Sequence, residues 1–139
     1  MQLIIISGRS GSGKSTALHQ LEDEGYYCID NLPAALLPAL IDEVGRGDFN
    51  HFQGTAVCID ARNAWQDLEN FSAILASLPN AVETRILFLD AQDSTLIKRF
   101  SETRRRHPIS SDSMPLAEAI DKERHLLENI YNSASLVLD

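Results

Sequence analysis

Two features are scarce in this chain of 139 residues, cysteine and positive charge, and a third, a long apolar run, is missing. Its two cysteines, Cys28 and Cys58, form no C-x-x-C pair and no zinc-ligand spacing, so nothing suggests a disulfide framework or a zinc site. Each lies in an apolar run, as a reduced core thiol of a cytoplasmic protein would. The histidines (His19, His51, His107 and His125) share no ligand spacing either. No apolar stretch approaches the roughly 18 residues that a membrane span needs. The first such stretch lacks the basic flank and cleavage site of a signal peptide. Lys and Arg number 12 against 20 Asp and Glu, a net charge of −8 that argues against a general nucleic-acid clamp. There is no repeat and no low-complexity segment. What remains is ordinary for one globular domain with a real core: 44% hydrophobic and 23% charged residues.

Against that plain background one motif stands out. Gly8-Arg9-Ser10-Gly11-Ser12-Gly13-Lys14-Ser15 is a complete G-x-x-x-x-G-K-[ST] phosphate-binding loop. The apolar run Leu3-Ile4-Ile5-Ile6 precedes it, as in a strand buried on both faces of a parallel sheet. Ala17, Leu18 and Leu21 follow at helical spacing. Gly8, Gly11 and Gly13 let the backbone curl so that amide N–H groups point at phosphate oxygens, and the helix dipole adds positive potential. Lys14 is expected to reach the β- and γ-phosphates of ATP or GTP, and the Ser15 hydroxyl to ligate Mg²⁺.

The rest of the chain alternates strand and helix. Strands are expected at 26–29, 55–59, 85–89 and 135–138. One helix should bury Leu36, Leu37, Leu40, Ile41 and Val44, with Pro38 near its first turn and Gly45 and Gly47 closing it. Another, capped by Asn63, should bury Trp65, Leu68, Phe71, Leu75 and Leu78. A third, capped by Asp93, turns Leu96, Ile97 and Phe100 inward, and a long fourth from Pro115 carries Leu116, Ala119, Ile120, Leu126, Leu127 and Ile130. The fold class is therefore α/β: a three-layer P-loop NTPase or kinase-like domain with a five-stranded, mainly parallel sheet. Because the chain stops at its last strand, the natural protein is expected to continue into a second domain.

Ligands of such sheets bind beyond the carboxyl ends of the strands, and the loop, Asp30, Asp60 and Asp90 all fall there. A phosphate loop needs a second anion for Mg²⁺ on a neighbouring strand. Asp60 and Asp90 both qualify. The usual order of small P-loop kinases puts the third strand beside the first, which favours Asp60; a helix-capping role remains open for either. Asp30-Asn31 sits where such kinases hold a second ligand, and it could equally cap the next helix. Lys98, Arg99, Arg104, Arg105 and Arg106 place five cations in nine positions before a polar loop broken by Pro108. Guanidinium groups there suit a lid over a triphosphate, or simply a solvated helix end.

With these residues placed, the chain resembles, over its whole length, the RapZ/YvcJ family of bacterial nucleotide-binding proteins, whose best-described member is an RNase adapter. The resemblance is carried by the loop from Ser7 to Ser15, Leu21-Glu22-Asp23 and Tyr27-Cys28-Ile29-Asp30-Asn31-Leu32-Pro33. It continues through Ile59-Asp60-Ala61-Arg62-Asn63, Leu87-Phe88-Leu89-Asp90-Ala91, Thr103-Arg104-Arg105, His107-Pro108 and Ala119-Ile120-Asp121-Lys122-Glu123. Ala64-Trp65 and the 45–54 stretch match nothing, so no role is carried over there. The resemblance implies ATP binding at residues 8–15, GTP binding with a contribution from Asp60, Ala61, Arg62 and Asn63, and weak NTP hydrolysis. For enterobacterial members it implies an adapter that presents a small regulatory RNA to ribonuclease E and so controls amino-sugar synthesis. There RNA is bound mainly by a C-terminal domain that this chain lacks. No membrane partner is expected, and oligomeric state, a homo-oligomer included, is left open. Residue chemistry without the resemblance favours instead a small-molecule kinase moving the ATP γ-phosphate to a hydroxyl acceptor, with a plain NTPase switch as a third reading.

Overall fold

A computed structural model describes residues 1–9, 12–47, 49, 51–61, 65–103, 109 and 115–138, without the side chains at 65 and 100–103. Its five strands form one parallel sheet with order β2-β3-β1-β4-β5. The central β1 (Gln2–Gly8) pairs with β3 (Thr55–Cys58) on one side and β4 (Glu83–Leu89) on the other. Beyond them lie β2 (Tyr27–Ile29) and β5 (Leu136–Leu138). The expected neighbourhood of third and first strands is thus present, and so is the five-stranded α/β architecture.

The apolar runs alternate between two cores, as the two-residue period of a strand requires. Leu3, Ile5, Val57, Ile59, Ile86 and Phe88 face one layer of helices. Ile6, Ala56, Cys58 and Leu89 face α1 (Lys14–Asp23), which contributes Leu18. The larger core is closed by α2 (Leu37–Arg46), α3 (Trp65–Glu69), α4 (Phe71–Ala76) and α7 (Glu128–Asn132), through Leu37, Ile41, Leu68, Phe71 and Ile130. Each such side chain contributes about 1.5–3 kcal/mol by leaving water. Among the described residues no helix is long and apolar enough to cross a membrane.

Three helix expectations are corrected. The first helix begins one residue later than its stripe suggests: a 3₁₀ turn, Ala34–Leu36, leads into α2. Ala34 and Leu37 take the core positions and leave Leu36 52% exposed. The second is two short helices, divided at Asn70 (φ −91°, ψ 12°). Asparagine competes for its own backbone and favours turns, yet Leu68, Phe71 and Leu78 remain buried across the break. The long final helix is also two, α6 (Leu116–Leu126) and α7, divided at Leu127 (φ −94°, ψ 4°). Leucine is a good helix former, so here packing decided the break: Leu127 is fully buried. Between α4 and α6, α5 (Asp93–Thr103) buries Leu96 as expected but leaves Ile97 37% exposed; the side chain of Phe100 lies outside the described residues. At the β2 edge, Tyr27, Phe49 and Phe52 pack together, with Tyr27 5.0 Å from Phe49 and 5.3 Å from Phe52.

Candidate functional site

The loop leaves β1 at Gly8 and enters α1 at Lys14. Gly8 has φ 149°, and a Cβ there would lie 2.1 Å from the Leu89 carbonyl oxygen. The parallel neighbour β4 therefore demands a glycine at that point. Gly13, at φ 101°, turns the chain into α1 and offers no side-chain cap to the helix N-terminus. The first amides of α1 are thus left for a ligand to satisfy, on the positive end of the dipole. Ser12 N–H donates to the Arg9 carbonyl at 3.0 Å and tightens the turn. Lys14 Nζ donates to the carbonyls of Gly8 and Arg9, both at 3.0 Å, so its ammonium spans the mouth of the loop. Ser15 is exposed on the first turn of α1. Ser10 and Gly11 lie outside the described residues.

The β3 side of the loop gathers acid and lysine. Asp60 follows β3 and is 4% exposed, and Ala61 beside it is 8% exposed. Lys14, Asp60 and Asp30 all act electrostatically on the Cys58 thiol, which burial pushes up to about 12. The turn after β2 joins the same group: Asn31 has φ 52°, a left-handed backbone rare outside glycine, and its N–H reaches the Cys58 sulfur. Leu32 N–H donates to the Cys58 carbonyl at 2.9 Å and fixes the turn against β3. Lys14, Asp30, Asn31 and Asp60 thus all act on the one buried thiol at the end of β3. Arg62, Asn63, Arg104, Arg105 and Arg106 fall outside the described residues, and Arg99 is exposed on α5.

The β4 side differs from expectation. Arg9, counted among the phosphate-loop residues, turns its side chain away to the start of α5 and is 4% exposed. Its guanidinium donates to the Ala91 carbonyl at 3.0 Å, pairs with Asp90 at 3.4 Å and binds Asp93. Arg124 on α6 donates to both Asp93 oxygens, at 3.0 and 2.9 Å. Asp93 thus serves as an ion-pair partner at the first residue of α5 rather than as a cap in front of it. The hydrogen bond from Arg9, with Arg124 adding to it, holds the Asp93 carboxyl below its ordinary range. Asp90 Oδ1 accepts Ala91 N–H at 2.8 Å, a bond within the turn ahead of α5 and not to the helix's own N–H groups. No local pattern reveals this group, since Asp93 lies 84 positions from Arg9 and 31 from Arg124. Beside it, Phe88, Tyr131 and Arg124 wall a cavity of about 670 Å³.

A family model described as the RapZ-like N-terminal domain matches residues 1–139. The chain belongs to that family. Curated relatives named nucleotide-binding proteins include one from Hahella chejuensis, 57% identical over 140 residues, and one from Colwellia psychrerythraea, 52% identical over 139. The match takes in 100% of this chain but 49% and 48% of those relatives, so the chain spans about half their length. Among solved structures, a sugar kinase from Janibacter is 20% identical with TM-score 0.59, covering 100% of this chain and 85% of that one. Shikimate kinase from Acinetobacter baumannii is 12% identical with TM-score 0.59, covering 99% and 82%. At such identities these neighbours show the fold alone: a RapZ-like N-terminal domain is built on the P-loop kinase plan.

Proposed function

We propose that this domain binds a nucleoside triphosphate, ATP or GTP, in the loop of residues 8–15, and regulates an RNase adapter rather than catalysing rapid transfer. The observation that carries the reading is the loop itself. Gly8 packs where no side chain fits, an uncapped helix N-terminus faces the turn, and Lys14 is held by two loop carbonyls. On binding, Lys14 would exchange those carbonyls for the β- and γ-phosphates. Relatives of twice this length are named nucleotide-binding proteins, which supports the same reading.

The residues also fit Mg²⁺. The ion takes hard oxygen ligands, keeps several waters and needs only one or two carboxylates beside the phosphates. Ser15 offers a hydroxyl on α1 and Asp60 a carboxylate beyond β3, next to β1. Asp60 is favoured over Asp90 because it and Lys14 both act on the buried Cys58 thiol. Bound there, Mg²⁺ would neutralise charge between the β- and γ-phosphates.

In the full-length protein, nucleotide occupancy would set the conformation of an adapter that binds a small regulatory RNA, mainly through the second domain, and presents it to ribonuclease E. A net charge of −8 agrees with leaving RNA to another domain. The kinase reading is kept as a second one because Asp30 and Lys14 both act on the Cys58 thiol, so an acceptor hydroxyl held by Asp30 would lie on the same side of the loop.

Heat stability with magnesium ATP and magnesium GTP tests the central claim. At a hundredfold over Kd the wild type should gain about 2.7 kcal/mol, and Lys14→Ala almost none. A melt unmoved by either nucleotide refutes the reading. Turnover that depends on one small acceptor would replace the adapter with the kinase.

A further inference from the structure

The loop is bound to the rest of the fold through Arg9, by a chain of charges that phosphate binding does not itself require. The Arg9 guanidinium is almost fully buried and must be paired to stay there. Asp90 supplies part of that pairing, but at 3.4 Å, with an oxygen that already accepts Ala91 N–H. Asp93 supplies the rest and is itself gripped through both oxygens by Arg124. The main chain of the same Arg9 receives Lys14 Nζ and Ser12 N–H. Arg9 thus carries both the buried ion pairs and the carbonyl on which Lys14 rests.

We propose that Asp93 is a positioning residue for the phosphate loop, and that the chain Arg9–Asp93–Arg124 couples the loop to α5 and α6. The inference deepens the nucleotide reading given above and rests on it. Helices α5 and α6 precede and follow, in sequence, the segment that carries Arg104, Arg105 and Arg106. Whatever changes the spacing of these two helices pulls on Asp93 from the Arg124 side and reaches Lys14 through Arg9. The reverse holds equally: a triphosphate that draws Lys14 off the Arg9 carbonyl shifts the grip on α5 and α6. The size of that coupling is set by how differently the nucleotide binds the two arrangements.

The test is calorimetric titration of magnesium ATP and magnesium GTP into the full chain, in wild type, Asp93→Asn, Asp93→Glu and Arg124→Gln. Each protein is also melted without nucleotide. Asp93→Asn should bind roughly tenfold more weakly and Arg124→Gln roughly threefold, while Asp93→Glu stays within about twofold of wild type. A role in stability alone would lower the melting temperature of Asp93→Asn without changing its affinity, and that result overturns the proposal. Unchanged affinity in both Asp93→Asn and Arg124→Gln overturns it as well. Should Asp93→Asn fail to fold, Arg124→Gln decides alone, because Arg124 is 54% exposed and its loss strands no buried charge. Absence of binding by the wild type would refute the nucleotide reading itself, an outcome distinct from wild-type binding with indifferent variants.

Discussion

The two strands that flank β1 each run out into an aspartate, yet Asp60 beyond β3 and Asp90 beyond β4 keep different company. Asp60 is buried beside a sulfur that also feels Lys14 and Asp30. Asp90 is 29% exposed and joined to Arg9, Ala91 and, through Arg9, to Asp93 and Arg124. One side of the loop sets carboxylates and a lysine around a buried thiol. The other is closed by ion pairs that hold the loop in place. Two residues of the same type, one register step apart at the ends of the strands that flank β1, are given different work by what packs next to them.

The largest effect expected concerns the wall common to both sides. Gly8→Ala would drive a methyl group into the Leu89 carbonyl at a φ unsuited to alanine, and should cost about 3 kcal/mol in chemical denaturation. A loss below ~1 kcal/mol would mean that β4 does not press on the loop. Next comes the contrast between the aspartates. Asp60→Asn should weaken binding of magnesium nucleotide about tenfold while leaving metal-free binding nearly unchanged. Asp90→Asn should instead lower the melting temperature with little dependence on magnesium. Reversed outcomes would exchange the roles of β3 and β4.

At neutral pH the smallest effect is in the thiols. The Cys58 thiol keeps its proton to about pH 12, whereas in the unfolded chain it ionises near its ordinary value of 9.0. The unfolded state thus sheds a proton first, and stability should fall between those limits by roughly 1 kcal/mol per pH unit. Cys58→Ala should flatten that slope in alkaline melts. At neutral pH an alkylating reagent should modify the half-buried Cys28 first and reach Cys58 only on unfolding. Equal labelling of both would place Cys58 nearer to solvent than the β3 side allows.

The loop, the sheet and its acidic rim were legible because their signals are local. A glycine pattern between an apolar run and a helical stripe needs no partner from elsewhere in the chain. Helix breaks were less legible. Asn70 carried a weak signal, and Leu127 none, because a buried leucine turned by its packing looks like any other leucine in an apolar stripe. The Arg9 clamp was not legible at all. Read in sequence, Arg9 is a loop residue, Asp93 a helix cap, and Arg124 stands out in no motif. Their meeting requires α5 and α6 to pack together beside the end of β1.

The sequence by itself determined the glycine-rich loop between β1 and α1, the parallel α/β plan and the strand ends on which polar groups collect, since each depends on residues a few positions apart. Only the tertiary structure decided that Asp90 is bound to Arg9, that Asp60 and Lys14 act on one buried thiol, and where the helices divide. Those outcomes depend on distances between segments tens of residues apart, and such distances are set by how two cores pack against one sheet.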